Sequence, residues 1–516
     1  MRIGIDVSMT ADSKTGLPSY TRSLVEALAR VDRHNEYLLY PITWHSLPPN
    51  HRESVLPKAA NFRRVCGRWP QRWLDRRWQQ SDRAGRQRLL GPPPDVYFSP
   101  FHNAPDRWLP RLVCVWHDVS FRVHPEFSTE ANRVYCEQQF ERSVRLAHRF
   151  VTVSHFSKQE LVRAMGVPAD HIDVVHEAAD PMCRQLPGAA VPARFQAQLG
   201  GAPFVLYVGS VEPRKNLATL VEAYAALQAR SRHPARLAIA GGSGWKNSAV
   251  HEAVARHGLA DKVHLLGFVT DEELVALYNT CALFCYPTLY EGFGLPVIEA
   301  MSCGAPVVTS RVASLPEVGG DAVAYVDDPK DTAALSRVLQ QVLEDDALRQ
   351  RLRQQGLAQA ATFSWDRAAR ETLQILERVV ADRELDPGDV RMGEDERGLD
   401  AGFHDVERPP EGAFRWMMQR GTLHLRPRAA QRTLRVTAAS PLPEQTVTLV
   451  ARVAGSVVGT ALLGHGPRTF RFELPPHVPG DRLLDVELTV NHVLPPAMKG
   501  DDRRELGARL FAAGFV

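Results

Sequence analysis

Two glutamates eight residues apart, Glu291 and Glu299, bracket the segment Gly292-Phe293-Gly294-Leu295 in a chain of 516 residues. The glycines let backbone N–H groups approach a ligand closely, and Pro296 suits the first turn of a helix that Gly304 ends. A helix N-terminus offers unpaired N–H groups and partial positive charge, so this loop suits a diphosphate. Glu299 sits where its carboxylate can accept from a pair of hydroxyls. A lone glutamate there would merely complement the helix dipole, worth about 0.3–1 kcal/mol. The second group is Arg214-Lys215, between an apolar run at 204–209 and a helical pattern at 217–227. Two cations at a helix N-terminus oppose its dipole unless an anion sits there. On that reading removal of Lys215 leaves folding unaffected or slightly improved. A planar guanidinium fork and a compact ammonium together suit a diphosphate; the alternative is a solvated pair.

Weaker signals surround these. His117-Asp118 closes an apolar run at 111–116, and two readings stand. Either the imidazole bonds a sugar hydroxyl or positions a reacting group, with Asp118 orienting it, or the pair satisfies turn backbone. Gly16 lies in a polar loop after the first strand and serves either a ligand or the turn alone. Gly241-Gly-Ser-Gly244 resembles a phosphate loop but lacks GxGxxG spacing. No Asp-x-Asp is present, and none of the seven cysteines forms a CxxC pair. That cysteine usage suggests buried thiols in a reducing cytoplasm rather than a disulfide frame or zinc site.

Alternating elements must position these groups. Apolar runs at 2–7, 111–116, 150–153, 172–175, 204–209, 236–240, 263–266, 282–286 and 306–309 read as strands, with helical patterns between them. Ser157-Lys-Gln-Glu160 reads as a capping box. Such alternation predicts α/β domains, each a mostly parallel sheet wound on both faces with helices. The expected domains are 1–182 and 183–382, doubly wound and facing a cleft, with ligands beyond the carboxyl ends of the strands. Residues 383–411 carry ten acids from position 384 onward against Arg391, Arg397 and Arg408, and read as an acidic, solvated linker. Residues 412–516 read as a small antiparallel β-sandwich, with strands at 433–436, 446–453, 457–463, 468–474 and 483–490. Phe414 and Trp416 stand two apart, either a sugar-stacking face or core.

Composition excludes several classes. Lys+Arg minus Asp+Glu is 62 − 59 = +3, too balanced for a dedicated nucleic-acid binder. Hydrophobic content of 44% and charged content of 23% are those of a globular protein. No apolar run is long enough to span a membrane, and the first residues lack a signal-peptide layout. Residues 61–90 carry nine arginines against Asp75 and Asp82, interleaved with Trp69, Trp73 and Trp78. That stretch is read either as core or as a peripheral contact with anionic membrane.

The segments YVGSVEPRKNL, YPTLYEGFGLPVIEAMSCGAPVV, VWHDVSF, VTVSHFSKQEL and FSWDRAA together resemble the retaining glycosyltransferases of family 4. The resemblance covers about residues 1–380 and implies the two-domain GT-B fold, a nucleotide-sugar donor on the second domain and an acceptor on the first. It implies that Arg214 and Lys215 hold the donor diphosphate and that Glu291 binds sugar hydroxyls. It likewise implies that Gly292, Phe293, Gly294 and Leu295 present backbone to the donor, Glu299 binds ribose, His117 faces the transferred sugar, and Phe268 lies near the base. Ser210 stands where many members have arginine, and Pro18 where many have a second glycine in the loop holding Gly16. The expected enzyme needs no metal or cofactor and uses a nucleotide-sugar, with GDP-mannose the first expectation. It transfers a hexose onto a glycan or lipid-linked glycan of a bacterial surface polysaccharide such as lipopolysaccharide. The expected location is cytoplasmic, peripheral on the inner face of the membrane. The sandwich is left with a glycan or a protein partner. The competing readings are a nucleotide-sugar epimerase, a sugar phosphorylase, or a glycan-binding scaffold with an inactive transferase body.

Overall fold

A computed structural model of the chain describes residues 1–11, 16–41, 55–65, 94–101, 111–230, 235–242, 248–382, 389–392, 394, 397–399, 402–410, 412–428, 431–442, 447–479, 483–494 and 505–516. The chain divides into two compact units: Met1–Val115 with Gln138–Phe150 and Leu373–Val516, and Trp116–Glu137 with Val151–Thr372. Among the described residues no helix is long and apolar enough to cross a membrane. Trp69, Trp73, Trp78 and the arginines from 68 to 88 lie outside the described residues, and so does Cys66. The other six cysteines are buried free thiols.

The first parallel sheet is built from β1 (Arg2–Asp6), β2 (Glu36–Tyr40), β3 (Phe62–Arg64), β4 (Val96–Ser99), β5 (Leu112–Val115), β6 (Arg149–Thr152) and β7 (Ile172–Val174), in the order β3-β2-β1-β4-β5-β6-β7. Helix Leu17–Val31 packs Tyr20, Leu24, Val25 and Leu28 inward, the helical spacing of a face that must be covered. Gly16 caps it at φ 59°, in the left-handed region that favours glycine, and a Cβ there would meet nothing within 4 Å. Gly16 is thus required by the turn. β2, β3 and β4 escape the sequence reading: β3 is only three residues long, and β2 and β4 mix polar and tyrosine residues with few aliphatics.

The second sheet comprises β8 (Phe204–Val208), β9 (Arg236–Ala240), β10 (Val263–Gly267), β11 (Leu283–Tyr286), β12 (Val307–Ser310) and β13 (Ala324–Val326). Its order is β10-β9-β8-β11-β12-β13, with every neighbouring pair parallel. The chain winds outward from β8 on one side and from β11 on the other, which makes their junction the switch point of the sheet.

Helix His155–Met165 begins three residues before the predicted capping box would allow. Ser154 is the N-cap, its hydroxyl accepting from Ser157 N, and Glu160 pairs instead with Arg163 at 2.6 Å. The remaining N–H groups of the first turn find Glu317, whose carboxylate accepts from His155 N at 2.9 Å and Phe156 N at 3.3 Å. His176 Nε2 closes on the same carboxylate at 2.6 Å. Ser154 and Ser157 both precede helix-forming residues, and Ser157 drew the sequence reading because Glu160 completes a capping-box pattern after it; the Glu317 contact is tertiary and leaves no local signature.

The C-terminal region is a sandwich of two antiparallel sheets. One joins β14 (Asp389–Arg391), β15 (Phe403–Glu407), β16 (Phe414–Met417), β18 (Thr433–Ala439), β21 (Arg468–Glu473) and β23 (Ala508–Phe515); the other joins β17 (Arg420–Leu425), β19 (Val447–Val453), β20 (Ser456–Leu463) and β22 (Leu484–Val490). Val447, Leu449, Ala451 and Val453 alternate into the core between them, as period-two strands require. The acidic linker expected over 383–411 is corrected in its described part. Val390, Met392, Leu399 and Phe403 are core residues of the sandwich, and β14 and β15 belong to its sheet. Sparse apolar residues among many acids hid this. Phe414 is buried and meets Trp416 edge to face at 5.6 Å, so the pair is packed rather than presented as an open stacking face.

Replacing Phe403 by alanine tests that correction. Loss of a core phenylalanine costs about 3–5 kcal/mol, so thermal unfolding of Phe403→Ala should show the sandwich melting several degrees earlier. A superimposable melting curve would return the segment to a solvated linker.

Candidate active site

β8 and β11 lie in register, with Leu283 opposite Val205 and Phe284 opposite Leu206. Their carboxyl ends therefore deliver two loops, 209–216 and 287–294, to one place. Leu289 N donates to Arg214 O at 2.8 Å, and the Thr288 hydroxyl, 3.0 Å from both Arg214 O and Glu291 Oε1, shares its one proton between them. Asn216 Nδ2 donates to Pro287 O at 3.0 Å and Pro329 O at 2.7 Å. Asn216 holds φ 59°, a conformation asparagine tolerates, and this turns the single 3-10 turn Pro213–Lys215 into helix Leu217–Gln228.

The two cations meet Glu291. Its Oε1 accepts from Lys215 Nζ at 2.6 Å, from Tyr286 OH at 3.0 Å and from Thr288 Oγ1 at 3.0 Å. Its Oε2 accepts from Arg214 Nη1 at 2.9 Å. Arg214 also donates to Glu212 Oε1 and Tyr290 O, each at 3.0 Å. Burial alone would raise the Glu291 carboxyl, but Arg214 and Lys215 outweigh it and hold that group down at about 2. Burial and the neighbouring Arg214 push the Lys215 ammonium below its usual range, with Glu291 opposing them. The expectation that two uncompensated cations strain the helix start is corrected. Each is matched by a carboxylate, and Lys215 is itself buried. Lys215 Nζ also donates to Tyr286 OH, so donors remain for a ligand: these bonds use two of the three N–H groups of Lys215 and three of the five of Arg214.

The glycine loop is fixed from the other side. Ser154 Oγ donates to Gly292 O at 2.6 Å, and Ser157 Oγ shares its proton between His117 O at 2.9 Å and Gly292 O at 3.1 Å. Ser314 Oγ lies 3.0 Å from Glu291 O and 2.7 Å from Phe293 O. A Cβ on Gly292 would lie 2.4 Å from His117 O, so only glycine lets the two backbones approach. Gly294, at φ 114°, turns the chain into helix Leu295–Ser302, which Leu295 opens and whose first turn holds Pro296.

His117 Nδ1 lies 3.2 Å from Glu177 Oε1, while Asp118 Oδ1 accepts from Ser120 N at 2.9 Å. Glu177, not Asp118, therefore orients the imidazole, and Asp118 serves the turn. Glu299 Oε2 accepts from Tyr278 OH at 3.1 Å. Burial raises the Glu299 carboxyl to about 7, with the Asp180 and Glu177 carboxylates adding to it and the Tyr278 hydroxyl opposing. Phe293 is packed against His176 and Phe363, and Phe268 is 66% exposed. The described structure thus brings Arg214, Lys215, Glu291, Gly292 and His117 together in the second unit, whereas Gly16 belongs to the first. Sequence reasoning missed Glu212, Asn216, Tyr286 and Thr288, all polar residues within five positions of the motif they support. Glu177 lies sixty residues from His117 and gave no local signal.

Gly292→Ala should displace the loop, because the clash is with a carbonyl rather than a flexible side chain. Overpacking of this kind costs about 1–3 kcal/mol. The expected outcome is a lower melting temperature together with loss of turnover; unchanged values for both would show that the two backbones are not in contact.

Residues 15–182 match the family described as Glycosyltransferase Family 4, and residues 193–359 match that described as Glycosyl transferases group 1. Neither match reaches the β-sandwich. The chain is 39% identical over 279 residues to O-antigen chain mannosyltransferase B of Escherichia coli, covering 54% of this chain and 73% of that protein. It is 32% identical over 300 residues to the serotype-specific mannosyltransferase WbdA of Escherichia coli, covering 56% of this chain but only 36% of that relative. Among solved structures, sucrose-phosphate synthase from Thermosynechococcus elongatus superimposes with a TM-score of 0.57 at 22% identity, over 74% of this chain and 99% of that one. That likeness shows the fold, two Rossmann-like parallel-sheet domains of the GT-B type. With these two matches over 15–182 and 193–359 and a mannosyltransferase 39% identical over most of its own length, the chain belongs to glycosyltransferase family 4 and is a nucleotide-sugar-dependent glycosyltransferase.

Proposed function

We propose that the chain transfers a mannosyl unit from GDP-mannose, with retention at the anomeric carbon, onto a growing bacterial surface polysaccharide carried on lipid. The names of the two Escherichia coli relatives reported above support mannose as the donor sugar, and one of them an O-antigen chain as the product. The observation that carries the reading is the convergence of Arg214 and Lys215 on Glu291 at the switch point of the second sheet.

The chemistry follows from charge. As the bond from the anomeric carbon to the diphosphate breaks, negative charge builds on the leaving oxygens and positive charge on the sugar. Fixed N–H donors aimed at the leaving group stabilise that state without reorganising. The unassigned donors of Arg214 and Lys215 fill this role, and Glu291 holds both heads in place. Four donors already occupy the Glu291 carboxylate, so its part is to position cations. The diphosphate itself takes the acceptor's proton while the new glycosidic bond forms on the same face. Glu299 receives the ribose hydroxyls, and His117, oriented by Glu177, faces the transferred sugar.

Lys215→Ala should lower turnover by roughly 10²–10³, the scale of losing one charge-stabilising donor. It should also destabilise the fold by about 3 kcal/mol, because a buried carboxylate loses a partner. GDP-mannose turnover and a melting curve measure both, and near-normal transfer by a folded variant would refute the assignment.

Glu299 gives a pH test. Its carboxyl is raised to about 7, so the ionised form that accepts ribose hydroxyls grows as pH climbs from 6 to 8. The donor KM should fall by about tenfold over that range, and Glu299→Gln should flatten the dependence. A donor KM independent of pH in the parent enzyme would remove Glu299 from the ribose site.

A further inference from the structure

A cavity of about 370 Å³ lies within the second unit, and Arg214 forms part of its wall. Its size is at the lower end of small-molecule sites, about 300–1,000 Å³. Asp118, Phe127, Thr129, Asn132 and Glu212 line it alongside Arg214. Of these five, Glu212 supports the donor machinery through its bond to Arg214 and Asp118 follows His117 directly; the other three have no part in it.

The chemistry of this lining is selective. Asp118 uses Oδ1 on the Ser120 N–H, and Glu212 uses Oε1 on Arg214. Among the described residues their second oxygens have no bonded partner. Thr129 Oγ1 accepts from Asn132 N at 3.3 Å, which leaves its proton free to donate. Phe127 stacks on His124 at 4.9 Å and contributes an apolar ring to an otherwise polar wall. Among the described residues Arg214 is the one cation of the wall, and it is already shared between Glu212 and Glu291. The wall is therefore rich in acceptors, carries excess negative charge and includes one aromatic surface. Carboxylates accept well from adjacent hydroxyls, an aromatic ring covers C–H groups, and both carboxylates repel anions.

We propose that this cavity seats the terminal sugar of the acceptor and selects a neutral hexopyranose, with Asp118 and Glu212 taking its hydroxyls and Phe127 its apolar face. The assignment rests on the glycosyl-transfer reading, because Arg214 would then border donor diphosphate and acceptor at once. It adds the class of acceptor: an uncharged sugar rather than a phosphorylated or acidic one.

Binding of methyl glycosides tests this without requiring turnover. In titrations with GDP present, the parent should bind at least one of methyl α-D-mannoside, glucoside and galactoside, and should bind mannose 6-phosphate at least tenfold more weakly. Asp118→Asn keeps the bond to Ser120 and should weaken glycoside binding about tenfold, the scale of a hydrogen bond to a charged group. Thr129→Val, on an exposed turn, supplies a second variant should the first misfold, and should weaken binding severalfold. In each variant the acceptor KM should rise with the donor KM unchanged. Equal glycoside binding by parent and folded variants, binding of none of the three glycosides, or preference for mannose 6-phosphate would overturn the proposal. Donor turnover separates the two readings. Absence of hydrolysis of any nucleotide-sugar would refute glycosyl transfer, whereas hydrolysis with unaltered acceptor binding in the variants would refute only this cavity.

Discussion

A carboxylate buried at the ends of two parallel strands is held ionised only if cations meet it, since taking a charge out of water costs several kcal/mol. Glu291 is such a group, and Lys215 and Arg214 are its cations. The pairing joins loops that lie over seventy residues apart in sequence. It therefore works only while β8 and β11 remain neighbours in register, and the switch-point topology is what makes them so. Tyr286 and Thr288 complete the shell, satisfying the lone pairs that cations alone would leave exposed to an apolar interior.

The same constraint explains the glycine beside it. A loop whose first residue is clamped on one side must accommodate the backbone on the other, and at Gly292 the His117 carbonyl comes too close for any Cβ. Two serines of helix His155–Met165 then secure the Gly292 carbonyl, and Glu317 secures the start of that helix. Side chains from four separate stretches of sequence thus hold one short turn. Preorganisation of this kind lets donors stabilise developing charge without first being rearranged.

Much of this was legible beforehand, and the reasons differ by element. β8, β9 and β11 are continuous apolar runs because both their faces are buried, so they stand out, whereas the three-residue β13 does not. The cations and glutamates stand out because such residues rarely cluster around glycines without a ligand to meet. β14 and β15 did not stand out, because only Val390, Met392, Leu399 and Phe403 mark them amid acids that face water. The Ser154 cap is local but competes with a second serine three residues on, whereas the Glu317 and Glu177–His117 contacts depend on tertiary approach, which leaves no periodicity to read. The net effect of the cations on their helix was misjudged for the same reason: their carboxylate partner is distant in sequence.

Glu291 and Glu299 show how one residue type is divided between two tasks. They lie in one loop-and-helix segment, yet the first is held down at about 2 and the second pushed up to about 7. Burial acts on both in the same direction, so the difference lies in the neighbours: a guanidinium and an ammonium for Glu291, two carboxylates and a tyrosine hydroxyl for Glu299. A carboxylate that never protonates near neutral pH can hold cations permanently. One that titrates near neutrality gains stability when its oxygens receive new donors, because ligand hydroxyls then favour the ionised form that its surroundings resist. The first is thus suited to holding Arg214 and Lys215, and the second to the contact with ribose hydroxyls proposed above.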